Sequence, residues 1–288
     1  MDERIRDAER EDEMADDLAR ITGEAKRVSA RFSLSGRKAL VVGGSKGLGQ
    51  SMALALAGVG AEVCVASRDR TALEETEAAL REVGSANGAA SGAAASSFQA
   101  DVTHEDQVEA MVRHMAERHG GLDILVNSQG TVVLQPSTEF SLDAWQGVMD
   151  VNLKSLVLCC KHAGRVMLEK GYGKIINISS VRGFQGRAQD MAYAPSKGAV
   201  NQLTRSLAIE WGPKGINVNG IAPVFTVTAM AAEFLSDPKR KEWVMSRIPM
   251  KRLGQLEDLM GPIIFLASGA SDFVNGHTLP VDGGWLSA

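Results

Sequence analysis

Lys38-Ala39-Leu40-Val41-Val42-Gly43-Gly44-Ser45-Lys46-Gly47-Leu48-Gly49 decides how this chain is read. Its apolar run turns into glycines and then into a helical pattern, which predicts a strand, a tight turn and a helix. Glycines at 43, 47 and 49 let backbone N–H groups approach a phosphate at the helix N-terminus, where the peptide dipoles favour an anion. A Gly-rich turn is common between any strand and helix. This one opens the first such unit, where dinucleotide-binding folds place it.

Strands and helices alternate from there onward. Residues 61–66 read as a strand and 71–83 as a helix, then 98–102 as a strand, 104–119 as a helix and 122–127 as a strand. Long helices are expected over 142–170 and 191–212, separated by the apolar run 174–180, with further strands at 216–222 and 278–281 and a helix at 256–267. The fold class is α/β: a Rossmann-like doubly wound parallel sheet in a single domain over 34–288, with a small substrate lid at 225–247. Residues 1–33 form a polar N-terminal extension, read as solvated or as an arm docking on a neighbouring subunit. The Gly/Ala/Ser tract 84–97 reads as a mobile surface loop without function.

Composition excludes several roles. A hydrophobic content of 44% supplies a core, and a net charge of −4 gives no reason to expect nucleic acid or an anionic membrane as partner. No apolar run is long enough to span a bilayer, and the charged N-terminus lacks the apolar core of a signal peptide. Cys64, Cys159 and Cys160 have no metal-ligand spacing and read as reduced core residues of a cytoplasmic protein, with no metal expected.

The chemistry is carried by Tyr193-Ala194-Pro195-Ser196-Lys197, where residues four apart share one helix face. A free phenol titrates near 10, and a lysine ammonium beside it lowers that value toward useful acid–base exchange with a carbonyl/alcohol pair. Ser180 ends the run Lys174-Ile175-Ile176-Asn177-Ile178-Ser179-Ser180, a hydroxyl at the strand tip where open α/β sheets bind ligands. Asn127 ends the strand of Ile124-Leu125-Val126, and Asn152 lies inside a helix with apolar neighbours on both sides.

Together these residues resemble the short-chain dehydrogenase/reductase family over about residues 34 to 288. The resemblance implies that Ser180 orients the substrate oxygen, Tyr193 exchanges its proton, Lys197 lowers the tyrosine pKa and holds the nicotinamide ribose, and Asn152 supports a water-mediated proton relay. It assigns Gly43, Ser45, Lys46, Gly47, Leu48, Gly49, Asn127, Gly130 and Pro223 to the cofactor. Asp101-Val102 resembles the adenine-contacting pair and Thr228 the hydroxyl that holds the carboxamide. It also implies a homotetramer paired through the helices at 142–170 and 191–212. Val42 stands where the family commonly has Thr, Asn127-Ser128-Gln129-Gly130 replaces Asn-Asn-Ala-Gly, and Pro223-Val224 replaces Pro-Gly.

The second strand ends Val65-Ala66-Ser67-Arg68-Asp69. An acid there reads a ribose 2′-OH and an arginine accepts a 2′-phosphate. Ser67 holds the acid's place and Arg68 follows, with Lys46 as a second cation, so NADP(H) is preferred and NAD(H) possible. Asp69 suits the N-cap of the next helix.

Within the family the chain is similar to sugar-acid dehydrogenases of the gluconate 5-dehydrogenase and 2-dehydro-3-deoxy-gluconate 5-dehydrogenase types, notably at Phe184-Gln185-Gly186, Asp258-Leu259-Met260-Gly261-Pro262-Ile263 and Val281-Asp282-Gly283-Gly284-Trp285-Leu286. The candidate substrate residues are Gln129, which lies where a substrate could touch it, and Arg182 and Arg187, because a guanidinium fork suits a carboxylate. Solvent-facing arginines are the plain alternative. The leading reading is an NADP-dependent oxidoreductase of a small sugar acid or polyhydroxy carbonyl. A 3-oxoacyl-carrier-protein reductase and a non-catalytic cofactor-binding scaffold stay open beside it.

Overall fold

The computed structural model describes residues 16–86 and 94–288. Seven parallel strands form one sheet: β1 (Lys38–Val42), β2 (Glu62–Ser67), β3 (Ala95–Gln99), β4 (Ile124–Asn127), β5 (Gly173–Ile178), β6 (Ile216–Pro223) and β7 (Thr278–Val281), in the order β3-β2-β1-β4-β5-β6-β7. The order reverses between β1 and β4, which pair Val42 with Asn127. Loops leaving these two strands diverge there and open the crevice in which such sheets bind ligands.

Two-residue alternation along the strands builds a core on each face. Val41, Val63, Val65, Val126 and Ile176 pack with Met52 and Leu56 of α1 (Gly47–Gly58), Leu73 and Leu80 of α2 (Arg70–Ala86), and Ile263 and Leu266 of α9 (Met260–Ala267). Leu40, Val42, Cys64, Ala66, Leu125 and Ile175 face the other way. They meet Met111 and Met115 of α3 (Glu105–His119), Cys159, Cys160 and Ala163 of α5 (Ser155–Lys170), and Val200 and Trp211 of α6 (Tyr193–Trp211). Burial on both faces explains why these strands read as unbroken apolar runs. All three cysteines are buried and unpaired, and burial raises their thiols, Cys64 to about 11 and Cys160 to about 12. No helix among the described residues is long and apolar enough to cross a membrane.

Three elements differ from expectation. The expected helix over 142–170 is α4 (Leu142–Met149), a π turn (Asp150–Lys154) and α5. The wide turn brings Asn152 inward, where its Oδ1 accepts from Thr131 N at 2.7 Å and its Nδ2 donates to Thr131 O at 2.9 Å. Strand β3 spans 95–99, earlier than the 98–102 expected, because its serines are satisfied: Ser96 Oγ lies 2.7 Å from His119 Nε2 and Ser97 Oγ donates to Glu77. The tract 84–97 is therefore not a loop throughout, since α2 reaches Ala86 and β3 begins at Ala95; residues 87–93 lie outside the described residues.

Residues 1–15 of the extension also lie outside them. Residues 16–25 are helical and mostly exposed, and Arg31 donates to Gly269 O of the same chain at 2.7 Å. Leu34 is the first buried residue among those described. The lid comprises α7 (Ala229–Leu235) and α8 (Pro238–Arg247), and a small third core of Val181, Val224, Val244, Ile248 and Trp285 fastens it to the sheet.

Candidate active site

Gly43 at φ 73° and Gly47 at φ 56° hold the turn after β1 in the left-handed region that suits glycine. A methyl group at Gly43 would lie 2.8 Å from Gln129 N, and one at Gly49 would overlap the Gly43 carbonyl oxygen. Close backbone approach is therefore obligatory on both sides of the turn. Helix α1 starts without a side-chain cap, so its first-turn N–H groups face the crevice as an anion site.

A cavity of about 260 Å³ lies over this turn, lined by Val42, Gly43, Lys46, Ser67, Arg68, Asp101, Val102, Gln129 and Gly130 among others. It gathers seven residues expected at the cofactor: Gly43, Lys46, Ser67, Arg68, Asp101, Val102 and Gly130. Burial works against ionising Asp101, but the N–H and hydroxyl of Thr103 hold its carboxylate below the usual range. The glycine cradle, the open helix terminus and Arg68 at the far end fit a dinucleotide.

Other expected cofactor residues lie elsewhere. Leu48, Pro223, Tyr193 and Thr228 line the adjoining cavity of about 170 Å³, and the Thr228 methyl lies 3.7 Å from where a Gly47 side chain would begin. Ser45 is buried and its carbonyl accepts from Thr76 Oγ1. Asn127 sits beneath the floor, donating to Asn177 Oδ1 at 2.9 Å, with its own Oδ1 buried and unpartnered. Lys46 is not a free cation: its Nζ pairs with Asp69 Oδ2 at 2.6 Å, while Asp69 Oδ1 accepts from Ala72 N and caps α2 as expected. Arg68 has no ion-pair partner among the described residues.

The second cavity brings Ser180 and Tyr193 together with Arg182 and Arg187. Ser180 Oγ accepts from Arg182 N at 3.1 Å, which leaves its O–H to donate into the cavity. Lys197 is 4% exposed; its Nζ donates to Ile178 O at 2.7 Å and stands 5.7 Å from the Tyr193 ring centre. Burial pulls this ammonium down to about 8. The expected lowering of Tyr193 by Lys197 is not what the side chains produce. Burial raises the phenol above its usual range, and the forces opposing it are hydrogen bonding to Ser180 and the charges of Arg187 and Arg182. Desolvation disfavours charge on both partners at once.

One more expectation changes. Gln129 does not line the cavity of Ser180 and Tyr193: it lines the one over the glycine turn, and its Nε2 donates to Ser155 Oγ at 3.0 Å. Asn152 gives both amide hydrogens, to Thr131 O and Ser196 Oγ, so its side chain braces the site. Sequence reading missed Asp190, whose Oδ2 holds Arg187 and whose Oδ1 accepts from Ala194 N at the start of α6. Its place three residues before Tyr193 was the available signal. It also missed the apolar wall of Val132, Leu134, Val224, Phe225 and Phe234, for which short loops give no periodicity. Among the described residues no His, Cys, Asp and Glu cluster could hold a metal.

A family profile described as enoyl-(acyl carrier protein) reductase matches residues 42–286. A 2-dehydro-3-deoxy-D-gluconate 5-dehydrogenase of Bacillus subtilis (strain 168) is 43% identical over 256 residues, covering 89% of this chain and 97% of the relative. The chain belongs to the short-chain dehydrogenase/reductase family. A gluconate 5-dehydrogenase of Gluconobacter oxydans (strain 621H) is 38% identical over 88% of this chain and 96% of its own. The crystal structure of a gluconate 5-dehydrogenase from Burkholderia cenocepacia J2315, in complex with NADP and tartrate, superposes with a TM-score of 0.81 at 37% identity, covering 90% of this chain and 98% of that one. As a short-chain dehydrogenase/reductase, the chain is an oxidoreductase.

The buried lysine of this short-chain dehydrogenase/reductase makes a testable demand on stability. An unfolded lysine titrates near 10.5 and Lys197 at about 8, so the unfolded chain binds more protons between those values. The unfavourable contribution of Lys197 is full below pH 8 and fades as pH rises through that window. Without cofactor, the unfolding free energy of wild type relative to Lys197→Met should therefore rise by about 2–3 kcal/mol from pH 7 to pH 10. Urea titrations of both proteins across that range measure it, and a pH-independent difference contradicts it.

Proposed function

We propose that this enzyme interconverts a ketone and a secondary alcohol on a sugar acid or related polyhydroxy carboxylate, with NADP(H) preferred and NAD(H) possible. One observation carries the reading: Ser180 and Tyr193 share a small cavity with two arginines, beside a glycine-cradled cavity that ends at Arg68. The relatives named as gluconate dehydrogenases, one of them crystallised with NADP and tartrate, support the same class. Gly43, Gly47 and Gly49 would admit the pyrophosphate to the α1 terminus, Asp101 and Val102 would flank the adenine, and Arg68 would take the 2′-phosphate.

In the reductive direction the Ser180 hydroxyl donates to the ketone oxygen and polarises it. Tyr193 gives its proton to that oxygen as the alkoxide forms, and its raised pKa keeps the proton on the phenol until then. The nicotinamide, when bound, supplies the hydride. Lys197 holds its ammonium under Gly130, placed to hold the ribose and to stabilise the tyrosinate left behind. Asn152 keeps Thr131 and Ser196 fixed around this centre.

The apolar wall favours one second reading, reduction of a 3-oxoacyl group on a carrier protein. NADPH oxidation with a panel of keto sugar acids, neutral ketones and 3-oxoacyl thioesters separates the two. No turnover on any carbonyl would leave the scaffold reading. The free buried cysteines and the nicotinamide chemistry support a cytoplasmic location.

Tyr193→Phe should keep cofactor affinity and lose about 100-fold or more in kcat, whereas Lys197→Ala should weaken both. Retention of more than about a tenth of wild-type turnover by Tyr193→Phe would remove the phenol from the mechanism.

For the cofactor, Arg68 acts without help from Lys46, which Asp69 holds. One charge-assisted contact predicts a preference for NADPH over NADH of roughly 10- to 100-fold in kcat/KM. Ser67→Asp with Arg68→Leu should reverse it; equal values in wild type contradict the assignment.

A homotetramer is the proposed assembly, supported by Leu142, Val157 and Ile209, which are 82%, 41% and 79% exposed on α4, α5 and α6. Light scattering at micromolar concentration should give four chains, and a stable monomer would end the proposal.

A further inference from the structure

The two arginines of the substrate cavity are not equivalent. Arg187 directs both Nε and Nη2 at Asp190 Oδ2, at 3.1 and 2.8 Å, so its charge already has a buried partner. Arg182 is 8% exposed, donates through Nη1 to Gly186 O at 3.1 Å, and leaves Nη2 buried without an acceptor. The charged groups acting on Arg182 are Arg187, Arg247 and Asp190, together with the ionisable Tyr193. Guanidinium groups thus outnumber the single carboxylate, and that carboxylate is bound elsewhere. A guanidinium cannot shed its proton, and a buried one with an idle donor is unfavourable until an anion meets it.

We infer that Arg182, and not Arg187, anchors the carboxylate of the substrate, with Trp285 as its positioning residue. This rests on the proposed sugar-acid reading and says how the acid is recognised. Arg182 sits in the 3-10 turn Val181–Gly183, and its own backbone N–H donates to Ser180 Oγ. Anchor and polarising hydroxyl therefore belong to one rigid turn, and the separation between carboxylate and reacting carbon is set there. The Trp285 ring lies 5.4 Å from the Arg182 guanidinium carbon. That ring is itself fixed, by its Nε1 donating to Gln185 Oε1 at 2.9 Å and by edge contact with Trp243. An aromatic face beside the guanidinium orients its plane without supplying a competing anion.

The test compares acids with their neutral esters: 5-keto-D-gluconate against its methyl ester, and 3-oxobutanoate against its ethyl ester, with NADPH. In wild type the acid should be preferred. Arg182→Leu should lower the acid-to-ester ratio of kcat/KM by roughly 10- to 100-fold, mainly through KM, and Arg182→Lys should restore part of it. Arg187→Leu should leave the ratio at its wild-type value, and Trp285→Phe should lower it modestly. D-gluconate should raise the Tm of the NADP-loaded wild type and not that of Arg182→Leu, with NADPH fluorescence showing that the variant is folded. An equal loss on acid and ester in Arg182→Leu overturns the anchor, as does a ratio that follows Arg187. A wild type that reduces no sugar acid overturns the substrate reading instead, and the ratio on 3-oxobutanoate then decides Arg182 alone.

Discussion

The grip of the Asn152 amide on the backbone of Thr131, through both N–H and C=O, is the constraint on which the rest of the site depends. It closes a strand-like pair between a side chain and a loop, so neither can shift alone. Through Ser196 the same amide reaches α6, and Ser196 in turn donates to Tyr193 O. The loop after β4 carries Gly130, under which the Lys197 ammonium lies. One side chain therefore sets the distances among cofactor floor, lysine and phenol. A π turn is the local cost of bringing that side chain inward, and such irregular turns recur at functional sites.

The fold was legible because two signals agree at each step. Strands buried on both faces give apolar runs, and the glycine turn marks where the first of them ends. Thr278–Val281 was expected and observed with the same limits. The misplacement of β3 has a physical counterpart: the hydroxyls of Ser96 and Ser97 are answered by His119 and Glu77 on the two helices that flank the strand in the chain. Propensity has no access to such partners. The π turn was likewise hidden, since its residues have ordinary helical composition.

At the site, residue types were readable and their charge states were not. Tyr193 and Lys197 stand where the helical spacing puts them, yet burial outweighs the attraction expected between their charged forms. Lys46 and Arg68 look alike as cations in sequence, and only the Asp69 carboxylate distinguishes them. Arg182 and Arg187 differ for the same reason, by the position of Asp190. In each pair a single acid, distant or near in sequence, decides which cation remains available to a ligand.

The three buried thiols have a use outside the chemistry of the site. Cys64 lies on β2 and Cys159 and Cys160 on α5, all within the core on one face of the sheet. With Cys64 near 11 and Cys160 near 12, almost none is thiolate at neutral pH, and none is within reach of solvent. An alkylating reagent can therefore modify the chain only when that layer of helices parts from the sheet. The rate of labelling becomes a clock for this opening, recorded by mass with no engineered probe, and its slowing on addition of a nucleotide would read out how far cofactor binding tightens the layer.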